Sequence, residues 1–299
     1  FLENFYINYG NICFNNRHCC LFISALSERR EKIKIIYYFM NETITSLHNT
    51  KIKQAIKLRK ASKRKKDDLI IIEGLKEIGL AIKAGINLMA LFYSNELIKE
   101  KKLLASVDQE ILIQIAKPIF EKISLRENPD GFFALAKPKY KLINELIIEE
   151  NPLIIALESV EKPGNLGAIL RTADAAGVDA VLICDPKTDI YNPNAIRSSL
   201  GTVFTNQIAV STTQEAISWI KENKIKIFAA TPNTNKSYLE ANYKFPTCIV
   251  IGTEHEGLSE SWIDQSDEKI KIPMQGKIDS LNASVSAAVI IFEAIRQRK

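Results

Sequence analysis

At 299 residues with 46% hydrophobic and 25% charged side chains, the chain is long enough for two ordinary domains, each burying its own core. A net charge of +5 permits a polyanionic partner without requiring one, because what matters is where the charge is concentrated. Composition excludes two classes: no stretch approaches a membrane span, and the five cysteines and three histidines show no metal-ligand spacing, so no metal is expected.

Residues 1–39 contain no methionine and three of the five cysteines, and the first methionine is Met40. Residues 1–46 are expected to be a leader or disordered extension, with Met40 a natural start; the segment lacks the apolar core of a signal peptide. From Lys51 to Lys66 the run "KIKQAIKLRKASKRKK" holds nine Lys or Arg and no acid. It reads either as a solvated helix face or as a phosphate-contacting surface through Lys57, Arg59, Lys60, Lys63, Arg64 and Lys66.

After this run, "LIIIEG" (69–74) is expected to form a short buried strand and "LKEIGLAIKAG" a helix closed by Gly85; "LMALFYS" and "GFFALAKP" (131–138) read as two further strands. Residues 47–140 thus form a small α/β domain, and the charged, poorly patterned 141–150 a linker. Beyond it, apolar strands recur with helices between them: "LIIALE" (153–158), "AVLICD" (180–185), "KIFAAT" (226–231), "TCIVIG" (247–252) and "IKIPM" (270–274). Near-continuous apolar strands separated by helices indicate an α/β fold with a parallel sheet covered on both faces over 151–299. Cys184 and Cys248 fall in such strands and read as buried, reduced thiols of a cytoplasmic protein.

Ligands of such sheets bind beyond the carboxyl ends of the strands, where this sequence gathers its unusual residues. The first strand is followed by "KPGNLGAILRTA", the fourth by "GTEHEGL", and the fifth by "MQGKIDSLNASVSAA". Singly each has a plain reading: a tight strand-to-helix turn, a glycine-rich turn with solvated acids, and helix capping. None is a dinucleotide fingerprint.

In this order and on these strand ends, N-x-G-A-I-x-R-T-A (Asn165 to Ala173), I-G-x-E-x-x-G-L (Ile251 to Leu258) and I-P-M-x-G-x-x-x-S-L-N-A-S-V-S-A-A (Ile272 to Ala288) resemble the three motifs of the SpoU-type, or TrmH-like, RNA ribose methyltransferases of the SPOUT superfamily. Residues 47–140 resemble, less sharply, the substrate-binding domain fused to some of these enzymes. The resemblance implies a deep trefoil knot in the C-terminal sheet, a small L30e-like RNA-binding domain before it, S-adenosylmethionine held in the knotted loops, and a homodimer whose active site draws on both subunits. Chain-topology rules alone argue against a knot. The last helix, with Leu281, Val285, Ala288, Phe292 and Ile295 in one apolar stripe, suits burial on more than one side.

The implied reaction moves a methyl group to a ribose 2′-hydroxyl. By the family pattern Thr231, Gly252, Ile272 and Leu281 contact the cofactor, while Ser280 and Asn282 face the reaction side. Arg171 is the residue that the family places at the hydroxyl. A guanidinium stays protonated, so Arg171 is expected to position the ribose or phosphate and stabilise developing alkoxide charge, with proton removal unassigned. Asn165 and Asn282 can orient Arg171 or the nucleotide, and Glu254 can fix the cofactor loop or pair with Arg171. His255 is not taken as the base, since the family tolerates various residues there. Ribosomal RNA of the large subunit (23S) is the expected substrate; a tRNA 2′-O-methyltransferase and an inactive RNA-binding relative are the alternatives. An enzyme using a nicotinamide cofactor is disfavoured by the absent glycine fingerprint.

Overall fold

The computed structural model of the protein describes residues 43–254 and 256–299. Residues 1–42 of the expected leader, with Met40, lie outside these residues, as does His255, but its expected end at 46 is too late: Ile44 bridges Ile115, and its N–H donates to the Gln114 carbonyl at 2.9 Å. Helix α1 (Thr50–Lys57) is capped by Asn49, whose side chain accepts from the Lys51 N–H, and α2 (Ala61–Asp67) follows after a short break. Then come β1 (Ile70–Glu73), α3 (Leu75–Lys83), β2 (Leu88–Tyr93), α4 (Lys102–Ala105), β3 (Leu112–Gln114), α5 (Lys117–Ile123) and β4 (Phe132–Ala136). Gly85 closes α3 with φ +74°, the left-handed cap that glycine adopts without penalty. The strands form a mixed sheet in the order β1-β4-β2-β3, with Ile52, Phe92, Phe120 and Phe133 in the core beside it. β3 went unread in the sequence, since three residues give too little pattern for a period.

The C-terminal region contains β5 (Leu153–Glu158), α6 (Pro163–Ala176), β6 (Ala180–Cys184), α7 (Pro193–Ser198), β7 (Ile208–Ser211), α8 (Thr213–Glu222), β8 (Lys226–Ala230), β9 (Thr247–Ile251), α9 (Glu260–Gln265), β10 (Glu268–Ile270) and α10 (Ala283–Arg298). Its strands pair in parallel in the order β10-β8-β9-β5-β6-β7. Leu153 to Glu158 are all buried, as expected for a strand covered on both faces. Cys184 and Cys248 are free and buried; burial pushes the Cys184 thiol up to about 12 and raises Cys248 as well.

Four further expectations change. The last strand is Glu268–Ile270 and not 270–274: Lys271 makes one bridge to Ser237, and Pro273, without an N–H, cannot continue a ladder. The edge strand β7 was not anticipated. Residues 141–150 are no free linker, because Ile143, Leu146 and Ile148 pack on the core of the C-terminal sheet, and the Ile147 N–H donates to Gln207 Oε1 at 3.1 Å. On α10 it is Ala287, Ile290, Ile291 and Ala294 that are buried, whereas Val285 and Phe292 of the expected stripe are 47% and 50% exposed.

The two regions are seated on each other. Arg64 Nε donates to Asp189 Oδ2 at 2.8 Å, and its Nη1 to the carbonyls of Leu58 and Arg59 at 3.0 and 2.9 Å. The Tyr191 hydroxyl donates to the Lys139 carbonyl. At Gly201 a Cβ would stand 3.0 Å from Cα of Glu77 on α3, so that contact requires glycine.

Candidate active site

The three motif segments converge at the carboxyl ends of β5 and β9 and the start of α10. Pro163 at the first helical position of α6 suits its fixed φ and missing N–H, and sets Asn165 in the first turn. There the Asn165 amide Nδ2 donates to Glu254 Oε1 at 2.7 Å. Asn282, the N-cap of α10, has two roles: its Oδ1 accepts from the Ser284 N–H at 3.0 Å, and its Nδ2 donates to Glu254 Oε1 at 2.7 Å and to Asn165 Oδ1 at 3.1 Å. The expected choice between capping chemistry and site chemistry is therefore no choice, because one amide does both.

Glu254 takes a further partner that the sequence reading missed, the ammonium of Lys162. The hydrogen bonds from Lys162 and then Asn165, together with the Lys162 charge, hold the Glu254 carboxyl below its ordinary value. Glu254 thus pairs with Lys162 and not Arg171. The signal for Lys162 was a basic residue at the N-cap position of a helix carrying a motif asparagine, a pattern too common to single out.

Arg171 stands apart. Six residues beyond Asn165 at about 100° per residue, it lies about 120° away around the helix. It is exposed and makes no hydrogen bond or ion pair among the described residues.

Beside the cluster opens a cavity of about 630 Å³. Thr231 after β8, Gly252 after β9, Ile272 after β10, and Leu281 before α10 all line it, as does Glu254. Ser280 also lines this cavity, with its hydroxyl on Asp279 Oδ1 at 3.2 Å, and does not join the asparagine cluster. Apolar Ile251, Leu258, Ile263, Ile270 and Ile290 face the same space as short polar Thr253 and Ser286. The loop after β9 is drawn tight: the Thr253 N–H donates to the Gly257 carbonyl at 3.0 Å, Gly257 has φ +71°, and a Cβ on Gly252 would stand 2.2 Å from that carbonyl oxygen. An open cavity of this size, with apolar side chains beside polar and charged ones such as Asn233, Lys271 and Asp279, fits an amphipathic, charged nucleoside such as S-adenosylmethionine. Gly167, by contrast, serves packing, since a Cβ there would meet Ser198 and the Ala195 carbonyl of α7.

Of the basic-run residues, Lys57, Lys60 and Lys66 are exposed and Lys63 half-buried. Arg64 corrects its expectation: it is 4% exposed and its Nε and Nη1 donate to Asp189 and two carbonyls, so it is a strut between the domains and not a phosphate contact. Arg59 is exposed, but its Nη2 caps α5 by donating to the Lys122 and Ser124 carbonyls at 2.9 and 3.0 Å.

Residues 152–292 match the SpoU rRNA Methylase family, and residues 49–134 the MRM3-like substrate binding domain. A crystal structure of an RNA 2′-O ribose methyltransferase is 38% identical, with a TM-score of 0.77, over 86% of this chain and 99% of that one. The chain belongs to the SpoU methylase family. Among other family members, the 23S rRNA (uridine(2479)-2′-O)-methyltransferase of Streptomyces viridochromogenes is 28% identical over 246 residues, 79% of this chain and 86% of the relative. The AdoMet-bound rRNA methyltransferase of Sinorhizobium meliloti is 27% identical with a TM-score of 0.79, covering 85% of this chain and 97% of that one. The asparagine–glutamate cluster and the adjoining cavity both lie within the residues that match the SpoU family.

Proposed function

We propose that the protein is an S-adenosylmethionine-dependent RNA methyltransferase acting on a ribose 2′-hydroxyl, with 23S ribosomal RNA as its substrate. The observation that carries this reading is the meeting of Asn165, Glu254 and Asn282 at the rim of a cavity sized for a nucleoside cofactor. S-adenosylmethionine, when bound, supplies an electrophilic methyl on a sulfonium. Thr231, Gly252, Ile272 and Leu281, which line the cavity, would hold it. Glu254, kept ionised, locks both asparagine amides in one orientation, so that they present a fixed hydrogen-bonding surface to the nucleotide without reorganising during reaction.

Arg171 stabilises the developing alkoxide. Its place outside the cluster of its own chain favours a homodimer in which each copy lends Arg171 to its neighbour's site. Two features support this: Val285 and Phe292 leave apolar surface open on α10, and α10 packs beside α6, which carries Arg171. The N-terminal domain, of L30e-like type, grips RNA phosphates through Lys57, Lys60, Lys63 and Lys66. The C-terminal domain threads its chain as the trefoil knot of the superfamily, and the enzyme works in the cytoplasm; among the described residues no helix is long and apolar enough to cross a membrane. The test is methyl transfer from labelled S-adenosylmethionine to unmodified 23S rRNA, followed by mapping of the 2′-O-methylated nucleotide. Incorporation into base atoms, or none into RNA, contradicts the reading.

A further inference from the structure

A second cavity, of about 510 Å³, lies in the seam between the two domains, and no member of the asparagine–glutamate cluster borders it. Its floor is apolar, made by Leu69, Ile70 at the start of β1, and Pro138. One wall is Tyr140, an aromatic side chain left 58% exposed. Its ring is held edge-on against Tyr191 at 5.5 Å between centroids, and Tyr191 stacks in turn on Phe204 at 5.8 Å. Another wall comes from α2, where Lys65 borders the groove and Lys66 stands exposed next to it. The two carboxylates at the groove already have cationic partners: Asp189 meets Arg64 at 2.8 Å and Asp68 meets Lys137 at 3.1 Å.

One residue of the groove, Asp189, is joined through its loop to the neighbours of the methyl-transfer cluster. Asp189 lies in the loop after β6, at the carboxyl end of the catalytic sheet. Two residues earlier in that loop, Lys187 pairs with Glu161 at 2.9 Å and Glu256 at 3.6 Å, the chain neighbours of Lys162 and of the Glu254 loop.

We propose that the groove is a subsite for one unpaired nucleobase of the RNA substrate, stacked on Tyr140 with its phosphate on Lys65. The proposal rests on the reading of the protein as an RNA methyltransferase and adds where a nucleotide other than the methylated one is held. The chemistry favours a nucleotide on three counts. An apolar floor with a fixed aromatic wall suits a flat π surface, and base–aromatic stacking tolerates any base. Cations on α2 suit the attached phosphate. The Asp68 carboxylate at the rim can accept from an exocyclic amino group, as carboxylates do from cytosine N4.

The experiment uses the full chain and a fluorescein-labelled short unstructured RNA, read by anisotropy, beside the same strand in a duplex. Tyr140→Leu keeps apolar packing against Tyr191 but removes the π face, while Tyr140→Phe keeps both. Tyr140→Leu is expected to weaken single-strand binding by about five- to 100-fold, the range for losing one base–aromatic stack. It should leave duplex binding and S-adenosylmethionine affinity at the wild-type level, and raise KM for rRNA with kcat retained. Tyr140→Phe should behave as wild type. Single-strand affinity unchanged in Tyr140→Leu, or an equal loss for single strand and duplex, overturns the subsite. A wild-type protein that binds the single strand through Tyr140 yet methylates no RNA would instead overturn the enzymatic reading and leave the subsite standing.

Discussion

The ammonium of Lys162 grips the Glu254 carboxylate whose other partners are the amides of Asn165 and Asn282. One oxygen accepts from both asparagines and the other from the lysine, so three chain segments far apart in sequence are fixed by a single side chain. Lys162 is a positioning residue here. Because its side chain is 60% exposed, Lys162→Ala should cost stability less than about 1 kcal/mol. The same change frees Glu254 to swing and should lower kcat by roughly ten- to 100-fold, the scale of small misplacements at a reacting centre. Lys162→Arg should restore most of it.

The pH dependence of the cluster follows from the same pair. Glu254 is held below the ordinary glutamate value of 4.5, so its charged form is favoured by folding. That contribution is fully present above the unfolded value and is lost only as pH falls through the lowered folded value. Activity should therefore show no acid limb from Glu254 between neutrality and about 4.5, and Lys162→Ala should move that limb upward. A pH–kcat profile of both proteins checks this, and identical acid limbs would remove Lys162 from the site.

Arg171→Ala should lower methyl transfer by at least about 100-fold, as expected for a lost charge-stabilising donor, with S-adenosylmethionine affinity unchanged by calorimetry. If Arg171 serves the neighbouring copy, mixing Arg171→Ala with Asn282→Ala chains should regain about a quarter of wild-type activity. Half of the dimers are then mixed, and each mixed dimer holds one intact site. No recovery on mixing would place Arg171 in its own chain's site.

How much of this was legible in the sequence varies with the range of the interactions involved. The strand Leu153–Glu158 was readable to the residue because both of its faces are buried and every position is apolar or at the strand end. The edge strand β7 was not, since its four residues include Val210, 37% exposed, and Ser211, which blur the apolar run. Asn165, Glu254 and Asn282 were legible through their motifs, but their mutual contact spans 89 and 117 residues of chain and only folding reveals it. The role of Arg64 was hidden for the same reason, its partner Asp189 lying 125 residues away.

Gly252→Ala tests the tight loop after β9. Its Cβ would stand 2.2 Å from the Gly257 carbonyl oxygen, and backbone atoms cannot yield as a flexible side chain can. Overpacking of this kind costs about 1 to 3 kcal/mol, and here it falls on the cavity wall. S-adenosylmethionine affinity should drop by roughly five- to 100-fold, and the melting temperature should fall by about 2 to 4 °C per kcal/mol of that cost. Wild-type affinity in this variant would mean that the loop does not shape the cofactor cavity.

The basic run divides into a strut and a set of handles, and substitutions should separate them. Arg64→Ala leaves the part-buried Asp189 carboxylate without its guanidinium and two carbonyls without their donor, so stability should fall by about 3 to 5 kcal/mol in chemical denaturation. Neutralising the exposed Lys57, Lys60 and Lys66 together breaks no such contact and should leave stability where it was. Each lost phosphate contact removes about 0.7 to 0.9 from the slope of log affinity against log salt, so the triple variant should flatten that slope by roughly two to three. The loss should be similar for all RNA sequences, because phosphates carry no base identity. An unchanged slope would mean that α1 and α2 present a solvated face, leaving the catalytic domain to hold the RNA.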